Sequence, residues 1–457
     1  MAGIGFELQR ALRRGGLGSV IQTALAGMVI VAGPWLVSIV GIFFLTRYAA
    51  SALREGQELF MAVIVYSYAF SLGLFGGAHH VFTRYIADLI YEKKERRAAA
   101  ALIVALVVVA ALAAVLGAAA AMALKLEGLS RPGLFRAAVV ILFVAVNMIW
   151  VLMLFITLLK WYLAIFLVYA AGMAASFWAV SFLGERFGLG GALYGFGAGQ
   201  LLIVFLLLAL SFMAYRPTGP AAEIKPLAAY FVKYRLLFAA GAFYSMGLWI
   251  DKIIFWFMRG QPVAGTWLRL YEAYDRVVYF TNLTIIPGLV YFVVFTEPGF
   301  YVALRRFLLH VGRQIYSRIV REQYRLLTEL NERLAGQSVF QAVLTAGLVL
   351  LAVEVDRLML GGIAAPDVIR ITLLAGFANL LFLTLVTFLY YIEMYRESVA
   401  ATAVFLGVNA AGSAAAAATG AVPSLGYVCA GAAGSILAYV LLQNGVRSLF
   451  RRIYSRQ

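Results

Sequence analysis

The sequence GLWIDKIIFWFMRG (247–260), followed after a short polar break by RLYEAYDRVVYFTNLTIIPGLVYFVVFTEPG (269–299), decides the fold. Across 249–298 two strongly apolar helical stretches carry charges in their bodies: Asp251 and Lys252 in the first, Glu272, Asp275 and Arg276 early in the second. Asp, Lys or Arg at the centre of a membrane helix costs roughly 2.5–3.5 kcal/mol on insertion scales. Such residues face a bundle interior or a watery cavity, generally paired, and often mark a substrate path. Helical periodicity places Tyr244, Asp251 and Phe255 on one face of the first stretch, and Tyr271, Asp275 and Asn282 on one face of the second. With Trp249, this lining of aromatics, acids and bases suits a polar ligand rich in hydroxyls. The competing reading makes Asp251–Lys252 and Asp275–Arg276 structural pairs that fix helix packing, or charges close to the membrane surface.

Composition agrees with a membrane setting. Of 457 residues 64% are hydrophobic and only 13% charged, with mean hydropathy +0.92; a soluble domain carries about 25% charged residues. The single cysteine, Cys429, excludes an intramolecular disulfide and a cysteine metal cluster. The net charge of +16 reads as cytoplasmic loops rather than as a nucleic-acid surface. A spanning helix needs about 20 apolar residues. Six such runs fall near 20–46, 58–82, 98–123, 134–158, 161–183 and 190–213. Six more fall near 227–257, 271–297, 338–356, 367–391, 396–419 and 424–446. The first run is too long for a signal h-region and reads as a retained span.

The expectation is an all-α integral membrane protein with about twelve spans in two six-helix bundles, 20–213 and 227–447, joined by the polar linker 214–226. Twelve spans put both termini on one side. About 25 of the 37 Lys and Arg residues then lie on the cytoplasmic side. These include Arg84, Lys93, Lys94, Arg96 and Arg97 between spans two and three, and the basic tail 448–457. An N-terminal segment, 1–19, sets Ile4, Leu8 and Leu12 on one face beside Arg10, Arg13 and Arg14, as in a helix lying on the cytoplasmic leaflet. Gly33-Pro34 is expected to kink or break span one, and with Pro287 offers a gate or hinge. The insertion 300–337 places Leu304, Leu308, Val311, Ile315 and Ile319 in one stripe. Arg305, Arg306, Arg313, Arg318, Arg321 and Arg325 cover the other faces, a pattern that suits anionic lipid or a docked partner.

Other polar residues carry weaker signals. The adjacent His79 and His80 point about 100° apart and make a poor metal pair. Asn379 reads either as lumen lining or as interhelical glue. No Walker motif, HExxH or nucleophile elbow occurs, and no soluble stretch is long enough for a catalytic domain. The expectation is therefore a non-enzyme, with no catalytic residue, cofactor or metal site.

Four segments, MAGIGFEL (1–8), GPW (33–35), WIDKIIFWF (249–257) and LTIIPGLVYFVVFTEPGFY (283–301), resemble the PelG family. That family is the twelve-span membrane subunit of Pel exopolysaccharide secretion, in the MOP flippase superfamily with polysaccharide exporters and MATE transporters. The resemblance implies inner-membrane export of a galactosamine-rich polysaccharide for biofilm matrix. It also implies three partners: a cytosolic family-4 glycosyltransferase using UDP-GalNAc, a cyclic-di-GMP receptor and a membrane scaffold subunit. The turn EMYRES (393–398) is less basic than the family pattern. Within the fold, a lipid-linked oligosaccharide flippase and an ion-coupled antiporter remain alternatives; outside it, so does a non-transporting scaffold for the glycosyltransferase.

Overall fold

The computed structural model describes all residues except 1, 14–15, 53–55, 127–128, 130, 217–218, 264, 313–315 and 455–457. In chain order the helices begin with α1 (Ala2–Leu12), α2 (Leu17–Ala52), α3 (Gln57–Tyr91), α4 (Glu95–Ala123), α5 (Pro132–Leu158) and α6 (Tyr162–Ala214). A 3-10 turn, Pro220–Glu223, leads to α7 (Ile224–Lys233), α8 (Arg235–Gly247) and α9 (Ile250–Arg259). A two-residue antiparallel ladder pairs Gln261 with Leu270 and Pro262 with Arg269. Then come α10 (Glu272–Thr284), α11 (Ile286–Tyr291), a π turn at Phe292–Thr296, α12 (Glu297–Gly312) and α13 (Tyr316–Leu350). The chain ends with α14 (Ala352–Val355), a π turn at Asp356–Leu360, α15 (Pro366–Tyr391), α16 (Tyr395–Thr419), α17 (Leu425–Arg447) and α18 (Leu449–Tyr454).

Among the described residues eleven helical segments are long and apolar enough to cross a membrane. One of them, α6, is two spans in one: Gly188 takes φ 63°, ψ −148°, a conformation open to glycine. Its arms correspond to the runs at 161–183 and 190–213. Outward faces are apolar, with Val107, Leu163 and Phe205 each more than 60% exposed, as a lipid-facing surface requires.

The chain forms two compact units. One comprises Gly33–Trp249 and Trp256–Tyr271; the other comprises Met1–Ala32, Ile250–Phe255 and Glu272–Gln457. Their boundaries cut α2 at 32/33 and α9 at 255/256 and fall just before α9 and α10, at 249/250 and 271/272; none lies in the linker. Helix α2 continues through Pro34 without a break in its helical assignment, and Gly33-Pro34 lies at the unit boundary. The linker has a firm seat in its unit: buried Glu223 accepts Arg97 Nε at 2.6 Å and Tyr85 OH at 2.5 Å. Burial alone would raise the Glu223 carboxyl, but the bonds from Arg97 and Tyr85 outweigh it and hold the group below its ordinary range.

Each unit contains a punctuated run of three spans, α5–α6 in one and α15–α17 in the other. Pro132 and Pro366 each open a helix at its first turn, where a missing N–H costs nothing. Lys160 and Glu393 each close that helix in the left-handed region. The next N–H returns to the third-last carbonyl: Trp161 to Ile156 at 3.5 Å, and Met394 to Leu389 at 2.9 Å. Gly188 and Gly420 then turn the chain into the last span. Small residues bring the final pair of helices to backbone contact. A methyl at Gly199 would lie 2.7 Å from the Gly172 carbonyl, and one at Gly426 would lie 2.3 Å from the Ser413 nitrogen. Lipid gives no hydrophobic drive between helices, so such close packing carries the association.

The N-terminal helix is packed within its unit. Gln9 Nε2 donates to the Val294 carbonyl at 2.7 Å, Phe6 meets Tyr301 edge-on, and Gly5 lies against Val293 and Pro298. The expected single insertion helix at 300–337 is instead two helices, α12 and α13. Because the chain turns between them, one periodic stripe does not carry across: Leu308 is 47% exposed, while Phe300, Phe307, Ile319, Leu326 and Leu330 are buried. Ile315 and Arg313 lie outside the described residues.

Candidate functional site

Trp249 ends a turn in which its N–H bonds the Met246 carbonyl at 3.1 Å, and α9 starts afresh at Ile250. Tyr244 therefore lies in α8 and Asp251 and Phe255 in α9, with the turn at 248–249 between them. Tyr244 and Trp249 belong to one unit, and Asp251, Lys252 and Phe255 to the other. Asp251 is fully buried and Lys252 is 6% exposed.

Around Asp251 the polar groups of five helices converge. Lys252 Nζ lies 3.2 Å from Oδ1 and 3.3 Å from Oδ2. From α10, Tyr274 OH donates to Oδ2 at 2.5 Å; from α16, Asn409 Nδ2 donates to Oδ1 at 3.5 Å. Ser413, one turn on, donates to Asn409 Oδ1 at 3.0 Å. Ser424, at the start of α17, donates to the Tyr274 oxygen at 3.0 Å and lies 2.8 Å from Thr372 Oγ1 of α15. The Lys252 ammonium also sits 5.0 Å from the centre of the Tyr427 ring, within cation–π range. Each carboxylate oxygen thus receives two donors, which is how a buried charge survives in low dielectric. Such a cluster can exchange hydroxyl and amide partners without an unpaired charge, because every member is a hydrogen-bonding group with a neighbour to fall back on.

Asp275 is buried, but Arg276 is exposed and pairs with Glu272 four residues before it, also donating to the Leu360 carbonyl at 3.4 Å. Tyr271 and Asn282 are half-buried. Trp249 belongs to an aromatic cluster in its own unit. There Tyr66 stacks on buried Trp256 at 4.6 Å, with Trp267 edge-on to Tyr66 at 5.9 Å. Pro287 opens α11, and the carbonyls around it are answered by α13: Gln341 Nε2 donates to Thr284 O at 3.1 Å, and Gln337 Nε2 lies 3.5 Å from Gly288 O. Another buried acid, Glu297, accepts the Tyr391 hydroxyl. Arg305, Arg306, Arg318, Arg321 and Arg325 are exposed on α12 and α13. His79 and His80 meet edge to face at 5.0 Å in the body of α3.

Sequence reasoning missed Tyr274, Thr372, Asn409, Ser413, Ser424 and Tyr427. Asn409 and Ser413 carried a usable signal, since two polar residues four apart on an alanine-rich span share a face.

The sequence matches the PelG exopolysaccharide exporter (EPS-E) family over residues 1–454. The chain belongs to the PelG family. No curated protein sequence matches it. Among solved structures it resembles the MATE transporter VcmN of Vibrio cholerae in its bent form, with 11% identity, a TM-score of 0.58, and coverage of 97% of this chain and 98% of that one. It also resembles a MOP superfamily transporter from Pyrococcus furiosus, at 12% identity and TM-score 0.57, over 93% of this chain and 96% of that one. At such identities the likeness is one of fold. PelG-family membership and the MOP fold together make the chain a multi-pass membrane transporter.

Proposed function

We propose that this PelG-family protein exports a growing galactosamine-rich exopolysaccharide from cytoplasm to periplasm across the bacterial inner membrane, as it is polymerised. The family match across 454 residues carries the proposal. Both termini face the cytoplasm in this reading, where the basic loops and tail favour them. A cytosolic family-4 glycosyltransferase supplies the chain end, with a cyclic-di-GMP receptor and a membrane scaffold subunit as further partners. The exposed arginines of α12 and α13 give such partners a docking surface.

The polar cluster supports the reading chemically. A sugar polymer crossing the membrane needs hydrogen-bonding groups that replace water at each step, and Asp251, Lys252, Tyr274 and Asn409 are such groups within a spanning region. Their convergence makes Asp251 and Lys252 the residues on which the test of the path turns. In the same reading, Tyr244, Trp249, Tyr271 and Asn282 contribute aromatic and amide contacts along the path.

The test is reconstitution in proteoliposomes with the glycosyltransferase and UDP-GalNAc outside, scoring polymer protected from an added glycoside hydrolase. Protection should require this protein and continuing synthesis, and D251N/K252Q should abolish it while the protein stays in the membrane. Transport driven by a proton or sodium gradient without the glycosyltransferase would replace this reading with an ion-coupled antiporter. Full protection in the double variant would remove Asp251 and Lys252 from the path.

A further inference from the structure

Helix α13 is too long for the bilayer. Its 35 residues run about 50 Å, against a hydrocarbon core of about 30 Å. Its charges, from Arg318 to Arg333, all lie in the N-terminal half, and the stretch from Ser338 to Leu350 has none. The N-terminal half therefore stands at or beyond the membrane surface, packed against α12.

Between these two helices lies a cleft of about 360 Å³, lined among others by Arg306, Arg321, Arg325, Tyr324, Glu322 and Glu329. Its two acids are already engaged. Glu322 holds Arg325 at 2.6 Å, and Glu329 holds Arg333 at 2.7 Å. Neither Arg306 nor Arg321 has a carboxylate partner among the described residues. The cleft therefore presents two uncommitted guanidinium forks, a third arginine fixed by Glu322, and an exposed phenol at Tyr324. Guanidinium pairs recognise tetrahedral oxyanions through bidentate, charge-assisted bonds. The volume admits a phosphate with a substituent the size of glycerol or ribose, near the lower end of ordinary ligand sites.

We propose that the α12–α13 cleft is a binding site for a phosphate-bearing group, clamped by Arg306 and Arg321. The site is separate from the Asp251 cluster and does not depend on the transport reading. The phosphate belongs either to an anionic lipid headgroup at the membrane surface or to a soluble phosphate ester.

The full-length protein in phosphatidylcholine nanodiscs distinguishes these sources. One arm titrates phosphatidylglycerol into the discs and counts retained lipid by native mass spectrometry; the other titrates UDP by calorimetry. R306Q/R321Q is compared with R305Q/R318Q, which removes two exposed arginines that do not line the cleft. All four positions are exposed, and glutamine keeps helix propensity. The expected result is saturable binding in one arm, weakened at least about tenfold in R306Q/R321Q and little changed in R305Q/R318Q. Binding in the lipid arm alone assigns a headgroup, and binding in the UDP arm alone assigns a soluble ester. No saturable binding in either arm, or equal loss in both variants, overturns the site.

Discussion

The runs α5–α6 and α15–α17 share their punctuation and differ in their interiors. Each opens on a proline, turns on a left-handed Lys160 or Glu393, and turns again on a glycine. Inside the first, polarity is sparse and neutral. Gln200 takes Tyr68 OH at 3.3 Å, Ser176 reaches the Phe196 carbonyl at 3.3 Å, and Asn147 bonds back to its own helix. Inside the second, Thr372, Asn409, Ser413 and Ser424 lead to a buried ion pair. Helix packing in lipid thus needs only the shared features, small residues and tight turns. Among the described residues the Asp251–Lys252 cluster has no counterpart inside the α5–α6 run, and additions beyond what packing needs are where function is sought.

The largest test of this contrast is D251L. It leaves Lys252 buried beside Tyr427 without its carboxylate, and should lower stability in detergent unfolding by about 3–5 kcal/mol. D251L/K252M should regain most of that loss, because an apolar pair of similar volume suffices for folding. Gln200→Leu, in the other unit, should cost less than about 1 kcal/mol. An equal loss for D251L and Gln200→Leu would break the contrast.

Packing should respond alike in both runs. Gly199→Ala and Gly426→Ala each drive a methyl into fixed backbone, at 2.7 Å and 2.3 Å, and each should cost about 1–3 kcal/mol. If only one variant were destabilised, the shared punctuation would not reflect a shared packing role.

Much of this architecture was legible in the sequence. Long apolar runs gave the spans, including the two arms of α6, because hydropathy over about 20 residues is a strong signal. Asp251 and Lys252 stood out because charge is rare in such runs. Their partners did not, since Ser, Thr and Asn are ordinary in small-residue membrane helices, and only the fold shows which of them meet. Tyr274 was passed over between Tyr271 and Asp275 because one residue of rotation is about 100° on a helix, and the register follows from packing. The break at 248–249 was hidden for a similar reason: Gly247 precedes it, yet glycine is common in spans that stay straight. The α12–α13 pair escaped because a helical stripe has no way to announce a reversal of the chain.

The smallest expected effect concerns Glu223, which ties the linker into the unit with the neutral interior. Its carboxyl is held below the ordinary range, so its contribution is complete above that range and fades as pH falls through and below it. Limited proteolysis of the 219–234 segment should therefore quicken toward pH 4, and Glu223→Gln should cleave at the same rate at neutral and acid pH. A flat profile in the unaltered protein would separate the linker from this ion pair.

Helix α13 carries the arginine cleft at one end, and further along it Gln337 and Gln341, which hold the carbonyls beside Pro287. With no proline and no break between them, the helix is a stiff rod. One uninterrupted element thus carries both a surface cleft and the side chains that answer the carbonyls of the proline-interrupted span.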